Sequence, residues 1–242
     1  MRTASFPTVQ HAVAAEEAVE FVASLADAEA VSLVGSCARR ADANDLDLSV
    51  LVPDAAAGAR VEQAFAEFAS TSAPFAQLTA LGPFVELDLG TITGEFEPGP
   101  RTWTSGPDEL ELAIGNELAY AVPLWRRGGR LEELRARWLP YYDDDLRTTR
   151  LADARMYVVN DLDHVPLMVR RDEPFHAFHR LYLAFQGFLQ ALFIARRTYP
   201  IAYTKWIREQ VADILALPEL AERLPAIVGI DRLDLRRLVA AA

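Results

Sequence analysis

Residues 31–52, VSLVGSCARRADANDLDLSVLV, decide the fold of the first part of the chain. Apolar runs lie at both ends of this stretch, and they predict two buried strands, at residues 30–34 and 46–52, joined by a polar loop. Gly35 follows the first run, where a residue without a side chain lets the backbone approach a ligand closely. We therefore expect a sharp turn at Gly35 and, after it, a loop that can face a bound molecule.

Two aspartates mark the start of the second predicted strand. Side chains at positions i and i+2 of a strand point to the same face, so Asp45 and Asp47 should project side by side. Two neighbouring carboxylates repel each other, and a cation between them removes this cost. The pattern favours Mg²⁺, which prefers oxygen ligands and commonly binds one or two carboxylates together with substrate phosphates. Ser36 adds a hydroxyl beside backbone N–H groups that can point at phosphate oxygens.

A later strand supplies candidates for a third acid. The run VELDL at residues 85–89 places Glu86 and Asp88 on one face, and strand alternation alone allows either of them to be the third ligand. Three such acids could hold a pair of metal ions that activate an attacking oxygen and neutralise a leaving pyrophosphate. Arg39 and Arg40, between the two strands, could meet phosphates or simply face solvent.

The Gly-Ser pair at 35–36, an eight-residue gap and the Asp-Leu-Asp run at 45–47 resemble the GS…DxD signature of the nucleotidyltransferase superfamily related to DNA polymerase β. The resemblance covers about residues 10–95. It implies transfer of a nucleoside monophosphate, most simply AMP from ATP, with two Mg²⁺ ions. It assigns the metal to Asp45, Asp47 and Glu86, leaves Asp88 as a further catalytic acid, and places Gly35, Ser36 and Arg39 at the nucleotide.

The rest of the first hundred residues predicts a small mixed α/β domain. Helical periodicity covers residues 11–26 and 55–70, and further strand-like runs cover 76–81 and 84–92. The segment 97–107, EPGPRTWTSGP, has the Pro, Gly, Ser and Thr content of a linker.

From residue 108 onward the apolar pattern is almost entirely helical. Helices are predicted at residues 107–125, 130–139, 143–160, 174–198, 202–217 and 231–240. We therefore predict an α+β chain in which a nucleotidyltransferase catalytic domain at 1–104 is followed by an all-α, acceptor-binding bundle at 105–242.

This arrangement resembles the antibiotic nucleotidyltransferases, which adenylylate a hydroxyl of an aminoglycoside or a lincosamide. The strand at 84–88 is similar to the strand that carries their third acid, which favours Glu86. The run AYTKW at 202–206 is similar to a helical stretch whose lysine reaches the nucleotide phosphates, and Lys205 is the only lysine in the chain. Kanamycin-type enzymes carry a catalytic glutamate one helical turn earlier, where this chain has Ile201. A catalytic base would then come from elsewhere, first from the two acids of the later strand.

The composition and charge of the chain limit the kinds of partner and the compartment that we expect. The net charge of −11 makes duplex nucleic acid a poor partner, because phosphate contacts need a basic face. The most apolar stretch, residues 181–195, is too short to cross a membrane and predicts a buried helix. Cys37 is the only cysteine, so no internal disulfide can form, and the first residues do not have the pattern of a signal peptide. We expect a cytoplasmic protein.

Three functions remain open. The first is Mg²⁺-dependent nucleotidyl transfer to a small hydroxylated molecule, such as an aminoglycoside-like antibiotic. The second is adenylylation of a protein, as in the minimal nucleotidyltransferases of toxin–antitoxin pairs. The third is nucleotide binding without turnover. The preference for ATP or GTP, the acceptor and the oligomeric state also remain open.

Overall fold

The computed structural model describes residues 4–40 and 43–228. The chain forms two compact units, Met1–Phe96 with Ala113–Leu139, and Glu97–Leu112 with Pro140–Ala242. The first unit holds a mixed sheet with helices and the second is helical, so the predicted α+β class is confirmed.

A four-stranded sheet lies within the described residues of the first unit. Its strands are β1 (Ala30–Leu33), β2 (Leu46–Leu51), β3 (Leu87–Ile92) and β4 (Val122–Arg126), in the spatial order β3-β2-β1-β4. β1 is antiparallel to both β2 and β4, whereas β2 and β3 run parallel. The two strands predicted from residues 31–52 are therefore confirmed.

Helices accompany this sheet in the first unit. They are α1 (Val9–Ser24), α2 (Ala55–Ala69) and α3 (Ala73–Thr79) before β3, and then, after α4 (Leu110–Ile114), the π-helical turn π1 (Gly115–Ala119) and α5 (Arg130–Trp138). α1 begins after Thr8, whose hydroxyl accepts a hydrogen bond from the His11 amide at 3.4 Å. Asp54 caps α2 in the same way, accepting from the Ala57 amide at 2.8 Å. Such caps satisfy amides that the first helical turn leaves without partners.

Apolar side chains of the two central strands form a core with α1 and α3. Leu46 and Val50 on β2 and Leu33 on β1 are fully buried, as are Ala18 on α1 and Leu78 on α3. Because side chains alternate along a strand, this packing leaves positions 45, 47 and 49 for the other face of β2. The core therefore fixes the strand on which the two predicted aspartates lie.

The strand predicted at residues 76–81 is wrong, since this part of the chain belongs to helix α3. The Ser72 hydroxyl accepts a hydrogen bond from the Phe75 amide at 3.3 Å and caps the helix. Phe75 and Leu78 are both buried. Their spacing of three residues matches one side of a helix.

The single helix predicted at residues 107–125 is also wrong. The structure divides it into α4, π1 and the strand β4, where Val122 lies opposite Leu33 of β1. Pro123 cannot donate to a strand ladder, and it is tolerated because β4 is an edge strand with an irregular register at this point. Residues 113–139 thus return to the first unit, although the sequence analysis placed them in the helical domain.

The second unit is built around two long helices, α6 (Asp144–Arg170) and α7 (Pro174–Ala195). They are followed by the π-helix π2 (Glu209–Ile214) and two short helices, α8 (Pro218–Arg223) and α9 (Pro225–Val228). α6 runs past the predicted end at residue 160 and includes Pro166. The predicted helix 202–217 is wrong at its start, as described below, and the predicted helix 231–240 lies outside the described residues.

Candidate functional site

A glycine turn at the end of β1 seats one of the two aspartates. Gly35 has a φ of 63°, in the left-handed region that glycine favours. A Cβ atom added at Gly35 would lie 1.8 Å from Oδ2 of Asp47 and 2.8 Å from its Cγ. The Val34 amide donates a hydrogen bond to the Asp47 carbonyl at 2.9 Å, which ties the turn to β2. Glycine is therefore required for two reasons: its backbone has a positive φ, and a side chain would clash with the Asp47 carboxylate.

The residues after Gly35 form a tight turn. The Ser36 carbonyl accepts hydrogen bonds from the amides of Arg39 and Arg40 at 3.0 and 2.9 Å. The Arg39 guanidinium donates to the Gly35 carbonyl at 2.8 Å, so this side chain is used to hold the turn. The turn gives Ser36 and Gly35 a fixed position at the start of the loop that the sequence analysis assigned to phosphates.

Asp47 lies on β2, on the face opposite the core, and Asp45 lies just before the strand. Asp45 and Asp47 are half-buried, while Leu46 and Leu48, which alternate with them, are buried. In the parallel register between β2 and β3, Asp47 lies opposite Asp88, so these two side chains share a face.

The two candidate third acids differ in their position relative to β3. Asp88 is the second residue of β3 and is exposed. Glu86 is also exposed and lies just before the strand, and its carbonyl accepts a hydrogen bond from the Leu46 amide at 2.9 Å. The register thus places Asp88 directly across from an aspartate of β2.

A metal ion would have to use the donors that this face provides. Among the described residues, no group of three or more His, Cys, Asp or Glu side chains is arranged to hold a metal ion. Asp45 and Asp47 remain as two half-buried carboxylates, the first just before β2 and the second on it. Such a pair fits Mg²⁺, which often completes its shell with water and substrate phosphate oxygens.

The structure adds Glu117, a carboxylate that the sequence analysis did not select. Glu117 lies on π1, and its Oε2 atom is buried. Burial raises the pKa of Glu117, the nearby Ser49 hydroxyl opposes this rise, and the charge of Asp47 adds to it. Neither Glu117 Oε2 nor the buried Ser49 Oγ has a hydrogen bond of ordinary geometry. Two acids of the first unit, Asp47 and Glu117, therefore influence each other.

A sequence signal for Glu117 does exist. It is the only charged residue in the run LAIGNELAYAV, residues 112–122. A lone acid in an apolar segment is a candidate for a buried functional group. The π-helical turn that carries Glu117 is a rare element that is frequent at functional sites, but the sequence gives no sign of it.

Cys37 is a structural residue beneath this face. It is 2% exposed, and its thiol donates a hydrogen bond to the Asp45 carbonyl at 3.0 Å. Burial raises the pKa of Cys37 to about 11, and the charges of Asp47 and Asp45 add to this rise. The thiol therefore stays protonated at neutral pH and holds the backbone of Asp45.

Lys205 lies in the second unit and is exposed. The resemblance implies a helix around it, but residues 203–205 form bends and Trp206 has a φ of 59°, which is incompatible with a regular helix. The buried Gln210 side chain holds this bend by donating to the carbonyls of Ala202 and Lys205 at 2.7 and 2.9 Å. The phosphate-binding role of Lys205 stays a prediction.

Comparison with known proteins gives one distant structural likeness. No family model matches the chain, and no curated protein matches it. A solved structure described as a nucleotidyltransferase-like protein from Exiguobacterium sibiricum 255-15 is similar, with a TM-score of 0.44 and 12% identity, over 96% of this chain and 71% of that chain. Likeness of this size does not transfer a function, so the functional argument depends on the residues of the site.

Within the part of the chain that the structure describes, no helix is both long enough and apolar enough to cross a membrane.

Proposed function

We propose that this protein transfers a nucleoside monophosphate, most simply AMP from ATP, to a hydroxyl group of a small acceptor in the cytoplasm. The observation that carries the proposal is the Gly35 turn, where the absence of a side chain makes room for the Asp47 carboxylate. Asp45 directly precedes β2, two residues before Asp47. Paired carboxylates beside a glycine turn are suited to hold a cation against a triphosphate.

The proposed reaction is a displacement at phosphorus. The acceptor oxygen forms a bond to the α-phosphorus, the bond from this phosphorus to the bridging β-oxygen breaks, and pyrophosphate leaves. Mg²⁺ held by Asp45 and Asp47 would stabilise the charge on the transferring and leaving groups. Gly35 would let the main chain approach the phosphates, and Ser36 would donate its hydroxyl to a phosphate oxygen. The proton of the acceptor hydroxyl would pass to a carboxylate on the same side of the sheet.

We assign that carboxylate to Asp88 in preference to Glu86, the reverse of the order that the resemblance favours. The support is the register, in which Asp88 lies across from Asp47 while Glu86 precedes β3. Asp88→Asn should then reduce kcat strongly, and Glu86→Gln should be milder. Both side chains are exposed, so both variants should fold and can be compared directly. The opposite ranking would restore Glu86 as the functional acid.

The function can be tested by measuring pyrophosphate release from ATP and Mg²⁺. The acceptors would be a panel of aminoglycosides, lincosamides and candidate proteins, with each product checked by mass for the addition of AMP. Modification of a small molecule supports the proposal, while modification of a protein alone would replace its acceptor class. Tight ATP binding without turnover on any acceptor would favour a binding module instead.

Variants of the aspartate pair provide the control for this assay. Asp45→Ala or Asp47→Ala should each cost several kcal/mol of transition-state stabilisation, about a hundredfold or more in kcat/KM. Glu20→Gln, an exposed acid on α1, is the matched variant and should leave turnover unchanged. Near-normal turnover in an Asp45 or Asp47 variant would contradict the proposed metal site.

Lys205 is proposed as a phosphate contact, supported by its exposed ammonium and by its being the only lysine in the chain. Lys205→Ala should raise the Kd for ATP and leave the binding of adenosine, which has no phosphates, unchanged. Lys205→Arg should rescue ATP binding in part, because the planar guanidinium differs in shape from the ammonium. Unchanged ATP affinity in Lys205→Ala would remove this residue from the site.

A further inference from the structure

A pocket lies entirely within the second unit. It has a volume of about 180 Å³ and is open to solvent. Its polar lining consists of Arg101, Asp108, Arg150, Asp153, Tyr157 and Gln190. The volume is well below the roughly 300 Å³ at which pockets for drug-sized ligands begin, so the pocket suits a small molecule.

Arg101 is held rigidly at the wall of this pocket. Its guanidinium carbon lies 3.9 Å from the centroid of the Tyr157 ring, and one terminal nitrogen donates to Gln190 Oε1 at 3.1 Å. The Nε atom of Arg101 is buried and has no hydrogen-bond partner. A guanidinium that stacks on an aromatic ring and, among the described residues, pairs with no acid is preorganised for a carboxylate ligand.

A hydrogen-bond network at this pocket fixes the side chain of Gln190 and uses the donors of Arg150. Gln190 Nε2 donates to Glu111 Oε2 at 3.0 Å, which leaves Gln190 Oε1 turned towards Arg101. Arg150 donates to both oxygens of the fully buried Glu111, at 2.5 and 2.6 Å, and to Asp108 at 2.7 Å. Arg150 is therefore neutralised by two acids, and Arg101 is the arginine that remains for a ligand.

The pKa of Arg101 agrees with this difference between the two arginines. Burial lowers the pKa of Arg101, and the charge of Arg150 acts in the same direction. Asp108, Tyr157 and Asp161 oppose the change but do not cancel it. Among the described residues, Arg101 therefore has no ion pair with an acid.

Asp153 provides the opposite charge at the same pocket. It is exposed on α6, one helical turn before Tyr157, and within the described chain it has neither a hydrogen bond nor an ion pair. Residues i and i+4 of a helix are neighbours on its surface, about 6 Å apart. Asp153 thus lies about one turn from the ring on which Arg101 stacks. No ion pair joins Asp153 to Arg101, so the gap between them is free for one molecule to bridge.

We propose that this pocket binds a small zwitterion of the α-amino acid class. Its carboxylate would lie on Arg101 and its ammonium on Asp153, while Met156 and Pro98 would contact an apolar side chain. The site does not depend on the proposed nucleotidyl transfer, because all of its residues belong to the second unit.

The test is binding to the full-length protein by calorimetry and by thermal shift. The probes are the twenty common amino acids, with acetate, methylammonium and inorganic phosphate as single-charge arms. At least one amino acid with an apolar side chain should bind, and more tightly than acetate or methylammonium. Binding of phosphate alone, or of no probe, would overturn the proposal.

Variants locate the binding. Arg101→Gln should weaken amino acid binding about tenfold or more, because a charge-assisted pair is lost. Asp153→Asn should weaken it several-fold and leave acetate binding unchanged. Arg155→Gln and Asp163→Asn, exposed residues on the same helix, are matched controls and should have no effect. If Arg101→Gln unfolds the protein, Arg101→Lys and the exposed Asp153 variant still decide the case. Unchanged affinity in Asp153→Asn would contradict the zwitterion assignment.

Discussion

Two glutamates only six positions apart along the chain have very different surroundings in the fold. Glu111, in the second unit, is fully buried and accepts hydrogen bonds from Arg150, Tyr142 and Gln190. Glu117, in the first unit, is half-buried, and its buried oxygen has no hydrogen bond of ordinary geometry among the described residues. Burial raises the pKa of Glu117, and the nearby Ser49 hydroxyl opposes the rise. A buried charge that is fully paired can be structural, whereas one left without partners costs stability.

A second acid of the second unit has surroundings like those of Glu111. In the second unit Asp161 is also buried and paired, with Arg180 at 2.8 Å. In the first unit Asp45 and Asp47 lie two positions apart, and the charge of Asp47 raises the pKa of Glu117. Asp47 and Glu117 thus form a small cluster of like charges. Such a cluster is the expected cost of a site that binds a cation only together with its substrate.

The largest expected loss of stability comes from a change in the hydrogen-bond network around Glu111. Arg150→Met removes the cation that holds Glu111 and Asp108, so two acids lose their partner in a buried setting. The free energy of unfolding should fall by about 3–5 kcal/mol, as measured by urea denaturation. Arg197→Met, which breaks an exposed pair with Asp144, should cost about 1 kcal/mol or less. Equal losses in the two variants would show that the Glu111 network is not structural.

A smaller loss of stability is expected at Gly35, beside the Asp47 carboxylate. Gly35→Ala adds a side chain at positive φ and drives it into the Asp47 carboxylate. Gly128→Ala is the matched control, because Gly128 has a φ of 77° but open space around it. Both variants should lose about 1–2 kcal/mol of backbone stability. Only Gly35→Ala should also lose most of its Mg²⁺-dependent turnover, and retained turnover there would contradict the role of the turn.

Glu117→Gln should move stability the other way. Because burial raises the pKa of Glu117 above its ordinary 4.5, the folded chain binds this proton more tightly than the unfolded chain. Wild-type stability therefore falls as the pH rises above the unfolded value, and the penalty is complete once the pH exceeds the folded pKa. Glutamine does not ionise, so the variant should be more stable at pH 7, with the difference vanishing towards pH 4. Reduced stability at pH 7 would show that the charged form is favoured by the fold.

The smallest effect concerns Cys37, beneath the same carboxylates. With its pKa raised to about 11, the thiol should react with iodoacetamide far more slowly at pH 8 than the single thiol of the urea-unfolded chain. The rate in the folded protein should increase only as the pH approaches 11. Equal rates in the folded and unfolded chains at pH 8 would contradict the burial of this thiol.

The two strands beside the glycine turn can be predicted from the sequence, because patterns of neighbouring residues determine them. The apolar runs on either side of the glycine turn and the strand alternation around Asp45 and Asp47 predicted β1 and β2. α3 is predicted as a strand because a helix of seven residues is too short to show a helical period clearly, so the cap at Ser72 is the better signal.

Contacts between segments far apart in the chain could not be predicted from local sequence patterns. β4 forms an edge strand only because it pairs with β1, some ninety residues earlier. The pairing of Asp47 with Asp88 is likewise a property of the β2–β3 register. Alternation allowed both Glu86 and Asp88, and the burial of Glu117 beside Asp47 depends on where the chain returns after α4.

The measurement that tests the central claim most directly is calorimetric titration of ATP into the protein with and without Mg²⁺, which requires no acceptor. We predict that the wild type binds ATP at least tenfold more tightly with Mg²⁺, and that Asp45→Asn and Asp47→Asn abolish this gain while Glu20→Gln keeps it. ATP affinity that is indifferent to Mg²⁺, or a gain that survives in both aspartate variants, would contradict the proposed site.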